Sequence, residues 1–126
     1  MSQVREIEEM MEVAKKEITR LNSYGDGGSG GAEIAVKEWK VYLLILNAIV
    51  NPKSKKGIFA ILLAKFDEAL RDSMEMREKL VTENILEEAD YLCYCESMVS
   101  VRKNTIIMVN ARIAADDLGM FCEWFQ

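Results

Sequence analysis

Apolar residues near the N-terminus recur at alternating spacings of three and four, and this pattern restricts the possible fold more than any other feature. The residues are Val4, Ile7, Met11, Ala14, Ile18 and Leu21. These spacings place the side chains along one face of an α-helix, as in the seam of a coiled coil. We therefore predict a helix over about 3–22, whose seam needs a partner either in this chain or in another molecule.

A glycine-rich run follows this helix, with five of the chain's seven glycines in residues 25–31. Each glycine costs roughly 1 kcal/mol relative to alanine in a helix interior, so the run predicts a flexible loop. Its Gly-Gly-Ser-Gly-Gly core is also typical of an engineered linker. Both origins stay open, and in the second case residues 1–24 could be a tethered ligand helix instead of part of the domain.

Residues 32–126 have the periodicity of core helices. A second helix is predicted over about 32–51, where Pro52 ends it. Its residues are apolar on most sides, which is typical of a helix at the centre of a bundle. A third helix is predicted over about 57–80, with an apolar first half and a charged second half that has one face in solvent.

A fourth helix is predicted to begin at Thr82 or Asn84, with Glu87 three residues after Asn84 as in a capping box. It continues to Leu118, with a break considered at residues 103–105, and Gly119 suits the position that follows a helix. The sequence thus predicts an all-α fold, an antiparallel bundle of four to five helices with a flexible Gly-rich loop after helix 1. We expect residues 1–126 to form a single domain.

Composition excludes several classes of function. The net charge of −5 argues against a nucleic-acid partner, because phosphate binding depends on Lys and Arg. The absence of histidine removes Cys/His zinc sites and histidine-based catalytic triads. Three cysteines (Cys93, Cys95 and Cys122) make no regular disulfide framework, which indicates a reducing, cytoplasmic compartment. The longest apolar run, 41–50, is too short to cross a membrane, so no membrane association is expected.

Four polar residues interrupt apolar stretches, and two interpretations of them stay open. They are Asn47, Asn104, Asn110 and Arg112. Each could be a hydrogen-bonded buried group that fixes helix register. Alternatively, they could line an interface with another chain.

An acidic cluster gives one candidate for catalysis. The segment Glu87-Glu88-Ala89-Asp90 resembles the ExxD helix of the all-α nucleotide pyrophosphohydrolases. In that family an upstream helix supplies an EExxE motif, whereas segment 63–70 of this chain contains Glu68 without the full acidic triplet. The resemblance implies Mg²⁺-dependent nucleotide hydrolysis, with Glu68, Glu87 and Asp90 as metal ligands. The alternative interpretation is a solvated first turn that favours the helix dipole.

The leading hypothesis is a non-catalytic helical protein–protein interaction module without a cofactor. It covers adaptors, regulators and inhibitors, including viral or phage proteins that bind a host protein. Amphipathic helices would bind a protein partner or a second copy of the chain. The candidate interaction residues lie in helix 1 and in the apolar tail: Met10, Met11, Met120, Phe121, Trp124 and Phe125. Methionine suits such surfaces because its flexible thioether adapts to irregular shapes.

Overall fold

A computed structural model describes residues 3–23 and 31–119 of the chain. Within these ranges the chain forms four helices and no strand: α1 (Gln3–Ser23), α2 (Gly31–Val50), α3 (Lys56–Thr82) and α4 (Glu88–Asp117). The helices pack against one another as an antiparallel bundle, which confirms the predicted fold class. The flexible loop was predicted over residues 25–31. Residues 25–30 lie outside the described ranges, whereas Gly31 is the first residue of α2 instead of part of a loop.

The second helix lies at the centre of the bundle, as its apolar composition predicts. It contacts each of the other three helices. Ile45, Leu46 and Ile49 of α2 are fully buried, and they belong to one core with Phe59 and Phe66 of α3. A fully buried aliphatic side chain stabilises the fold by about 1.5–3 kcal/mol, so this central helix contributes much of the hydrophobic stability.

The seam of α1 faces the interior of the same chain. Ile7, Met11 and Ala14 are buried, and the first two join the core formed by the other helices. Met10 is half-buried and packs against that core. The partner that the seam requires is therefore α2 and the core around it.

The connection between α3 and α4 differs from the prediction. The backbone N–H of Ile85 donates to the carbonyl of Leu80 at 2.9 Å, and that of Asn84 donates to the carbonyl of Val81 at 3.0 Å. Asn84 has a φ of 59°, so the three features together form a Schellman motif that ends α3. The predicted capping box is wrong: Asn84 closes α3, and Glu87 precedes α4 without a side-chain capping hydrogen bond. Asparagine suits either role, because its side-chain oxygen can accept a hydrogen bond from the first turn of a helix and its backbone tolerates the left-handed conformation after the last turn.

The fourth helix is continuous, so the break considered at residues 103–105 does not occur. Thr105 is fully buried there, and its hydroxyl donates to the carbonyl of Val101 at 2.8 Å. Gly119 follows the helix with a φ of 69°, which confirms its predicted place. Its N–H donates to the carbonyl of Asp116 at 3.0 Å.

The two halves of α4 differ in burial. The C-terminal half contributes four buried residues to the bundle: Thr105, Val109, Arg112 and Ala115. No residue of 88–104 is buried. In this N-terminal half Leu92 is 53% exposed and Val99 is 64% exposed. The core therefore buries side chains from the C-terminal half of α4, whereas the N-terminal half reaches the core only through half-buried residues such as Met98 and Val101.

Candidate functional site

A groove of about 470 Å³ lies between α3 and the N-terminal half of α4. We call it the α3–α4 groove. Its apolar lining comes from both helices: Leu70, Met74, Met98 and Val99. The two methionines are half-buried, and their unbranched side chains can adapt to the shape of an incoming group. The lining therefore suits an apolar side chain from another molecule.

The charged residues that border the groove differ between its two ends. At one end Arg102 forms two hydrogen bonds with the Asp67 carboxylate, of 2.5 and 3.1 Å, and Arg71 lies nearby on α3. This pairing raises the pKa of Arg102, because its hydrogen bonds and the negative charge of Asp67 favour the charged guanidinium. Toward the other end the lining includes Glu75 and Glu78. The groove thus offers both signs of charge to a partner.

A second apolar surface runs along the side of α4 that points away from the core. Helical rotation of about 100° per residue places five exposed residues on this side, opposite the buried Thr105 and Arg112. They are Leu92, Glu96, Val99, Lys103 and Ile107. We call this surface the outer face of α4. Ile107 is 57% exposed, and Val99 belongs both to this face and to the groove, so the two surfaces are continuous.

A polar cluster joins three helices beside the core. We define it as Glu38 of α2, Ser73 and Arg77 of α3, and Tyr94 of α4. The Tyr94 hydroxyl donates to the Glu38 carboxylate at 2.8 Å, and the Arg77 guanidinium lies 3.7 Å from the centre of the Tyr94 ring. Arg77 also pairs with Glu38 at 3.7 Å and donates to the hydroxyl of Ser73. These contacts attach the N-terminal half of α4 to the bundle through polar groups.

The electrostatics of this cluster do not favour acid–base chemistry. Burial raises the pKa of Tyr94 to about 12, and the hydrogen bond to the Glu38 carboxylate acts in the same direction while Ser73 and Arg77 oppose it. A general acid or base works best when its pKa lies near the operating pH. The Tyr94 phenol therefore stays protonated and serves as a hydrogen-bond donor that positions α4.

The four polar residues in apolar stretches separate into two groups. Asn47, Asn104 and Asn110 are exposed. Arg112 is fully buried and donates hydrogen bonds to backbone carbonyls at the end of α2 and in the turn that follows it. For Arg112 the interpretation as a hydrogen-bonded buried group is therefore the one the structure supports.

The predicted interaction residues have different locations. Met11 lies in the core and Met10 at its edge. Met120, Phe121, Trp124 and Phe125 lie outside the residues that the structure describes. The exposed apolar residues of the α3–α4 groove and the outer face of α4 were not identified from the sequence as an interaction surface.

The predicted metal ligands do not assemble into a site. Glu68, Glu87 and Asp90 are all exposed. Among the described residues, no three His, Cys, Asp or Glu side chains lie where they could hold one metal ion. The two described cysteines, Cys93 and Cys95, are free thiols. The thiol of Cys95 accepts a hydrogen bond from Tyr91 and thereby raises the pKa of that phenol.

The sequence contains one local indication of the polar cluster. Ser73 falls on the apolar stripe of α3, between Ala69 and Met76, and a polar residue on such a stripe usually has a buried partner. Arg77 lies four residues further along the same helix, within reach of that serine. Glu38 and Tyr94 lie in distant parts of the chain, so no local sequence pattern could predict that they join this cluster.

The described helices include none that is long and apolar enough to cross a membrane. No protein-family model, curated protein or solved structure matches this chain.

Proposed function

We propose that this chain is a non-catalytic protein-interaction module that binds its partner through the α3–α4 groove and the outer face of α4. One observation carries the proposal. The N-terminal half of α4 buries no residue in its own bundle, yet it presents Leu92 and Val99 to solvent beside a groove with an apolar lining. The proposal covers an adaptor, a regulator or an inhibitor, including a viral or phage protein that binds a host protein.

The energetics support this choice of surface. Full burial of an exposed Leu or Val side chain is worth about 1.5–3 kcal/mol. Leu92 is 53% exposed and Val99 is 64% exposed, so each would gain about half of this on being covered. An exposed apolar patch bordered by charges is typical of a protein interaction site. Here the charges are supplied by Asp67, Arg102 and Glu78 around the groove. A partner helix that covers Leu92 and Val99 would gain this burial and place polar residues against the charged border.

Two further observations bear on the polar cluster and on the compartment. The partly buried phenol of Tyr94 has a pKa of about 12, which makes it a poor proton donor or acceptor near neutral pH and argues against the polar cluster as a catalytic site. Cys93 is an exposed free thiol, and Cys95 is a half-buried free thiol. Free exposed thiols are typical of cytoplasmic proteins, so the proposal places the chain in the cytoplasm.

Site-specific photo-crosslinking tests the proposal. A benzophenone amino acid is placed at Val99 of the full chain, and a matched variant carries it at Val13, an apolar residue of α1 that is 55% exposed. We expect irradiation in cells to give discrete protein adducts from position 99 and none from position 13. Circular dichroism verifies that both variants stay helical. If position 99 yields no more adducts than position 13, the proposed surface is wrong.

A further inference from the structure

Charges of opposite sign lie on either side of Val99 along the outer face of α4. Glu96 lies three residues before Val99, and Lys103 lies four residues after it. Leu92 and Ile107 extend the face beyond these charges, and both are more than half exposed. The order along the helix is therefore apolar, acidic, apolar, basic, apolar.

This order is complementary to itself when the helix is reversed. Leu92 and Ile107 are equally far from the midpoint between Val99 and Ser100, and so are Glu96 and Lys103. An antiparallel copy of α4 centred on this midpoint places Leu92 against Ile107, brings the two Val99 side chains together, and sets each Glu96 against a Lys103. A two-fold axis relates such identical surfaces.

We infer that the outer face of α4 binds the same face of a second copy of this chain, with the two helices antiparallel. The inference rests on the proposed function and names its partner. The paired stretch from residue 92 to residue 107 is about 22 Å long at the helical rise of 1.5 Å per residue. Because all five residues of the face are exposed, a second helix can approach without displacing any part of the bundle.

Charge favours this occupant and this orientation. In a parallel pair Glu96 would face Glu96 and Lys103 would face Lys103, and like charges at facing positions are destabilising. The antiparallel pair replaces these repulsions with two Glu96–Lys103 pairs. Each copy also carries a net charge of −5, so opposite charges at the contact offset part of the repulsion between the copies.

Charge reversal tests the inference. Sedimentation velocity is measured over a concentration series for the full chain, Glu96→Lys, Lys103→Glu and the double variant. We expect the parent chain to dimerise. Each single reversal turns two attractive pairs into repulsive ones, so the dissociation constant rises about tenfold. The double variant restores the attraction with its signs exchanged and returns the dissociation constant to near the parent value.

A matched control separates a local effect from an effect of net charge. Lys40→Glu changes the net charge as Lys103→Glu does, at an exposed position of α2, and we expect it to leave the dissociation constant near that of the parent. Circular dichroism verifies the fold of every variant. A double variant that stays as weak as the single ones overturns the antiparallel contact.

A parent chain that remains monomeric at millimolar concentration overturns the inference. In that case the photo-crosslinking at Val99 still tests the proposed function independently of dimerisation. Adducts with a different protein leave the interaction module intact with another partner. An absence of adducts from position 99 contradicts both the proposed function and the inferred dimer.

Discussion

The Nε of Arg112 donates a hydrogen bond of 2.9 Å to the backbone carbonyl of Ile49, and this contact joins α4 to the end of α2. The same guanidinium donates to the carbonyl of Asn51 at 3.0 Å. The last turn of α2 contains no basic residue. Arg112 therefore supplies, from a helix more than 60 residues away, the positive charge that favours a helix C-terminus.

Replacing Arg112 with methionine should destabilise the fold strongly. The substitution keeps an unbranched side chain but leaves the buried carbonyl of Ile49 and the partly buried carbonyl of Asn51 without their charged donor. We expect the free energy of unfolding to fall by about 2–4 kcal/mol in urea denaturation followed by circular dichroism. Arg102→Ala is the comparison, because its ion pair with Asp67 is half exposed and should cost less than about 1 kcal/mol. Equal losses for the two variants would show that burial of Arg112 adds nothing.

The raised pKa of Tyr94 predicts a pH dependence of stability. An unfolded tyrosine loses its proton near pH 10, whereas burial and the Glu38 carboxylate hold the pKa of Tyr94 at about 12 in the folded chain. Between these two values, deprotonation lowers the free energy of the unfolded state but not that of the folded state. The free energy of unfolding therefore falls as the pH rises. Tyr94→Phe removes this contribution to the decline.

The measurement is the free energy of unfolding of the parent chain and Tyr94→Phe, in steps from neutral pH to about pH 12. Below pH 10 the stability that Tyr94 contributes is constant. Above it, we expect the parent to lose stability faster than the variant. Two curves that stay parallel over this range would contradict the assigned shift.

Asn84 should tolerate glycine and resist a β-branched residue. Its φ of 59° lies in the left-handed region, which costs a residue with a Cβ about 1–2 kcal/mol. We expect Asn84→Gly to preserve or raise the melting temperature and Asn84→Val to lower it. A loss of about 1–2 kcal/mol in Asn84→Val, measured by thermal denaturation, matches the strain. If the valine variant melts at the parent temperature, the turn after α3 does not have this conformation.

Two substitutions in α1 should have opposite consequences. Met11 is buried in the core, so Met11→Glu places a carboxylate among apolar side chains and should cost about 3–5 kcal/mol or prevent folding. Val13 is 55% exposed on the same helix, and Val13→Glu should change stability by less than about 0.5 kcal/mol. Urea denaturation of both variants provides the comparison. Similar stabilities would show that α1 does not pack through its seam.

The helices could be predicted because their signals are local. The spacing of apolar residues gave the extent of α1, and Pro52 and Gly119 marked the ends of α2 and α4. Asn84 misled the prediction, because an asparagine suits both the start of a helix and the left-handed residue that follows one. Only the tertiary packing decides between these roles.

The candidate site could not be predicted in the same way. The seam of α1 indicated that a partner was required, but whether that partner was α2 or another molecule depends on the packing of distant segments. The burial of Glu38 depends on Arg77 and Tyr94, which lie on two other helices. The exposure of Val99 follows from how little of α4 the bundle covers, which the periodicity of α4 does not specify.

The uneven burial of α4 has a consequence for hydrogen exchange. Amides near Thr105 and Arg112 exchange only when the core itself opens, because these side chains are fully buried. Amides between Glu88 and Val99 need only a local opening, since that half of the helix is attached through the polar cluster and the half-buried Met98 and contains no buried residue. Protection should therefore increase along α4 from its first turn to its last third. A ligand that covers the first half would remove this gradient, so exchange rates along one helix report on occupancy of the surface.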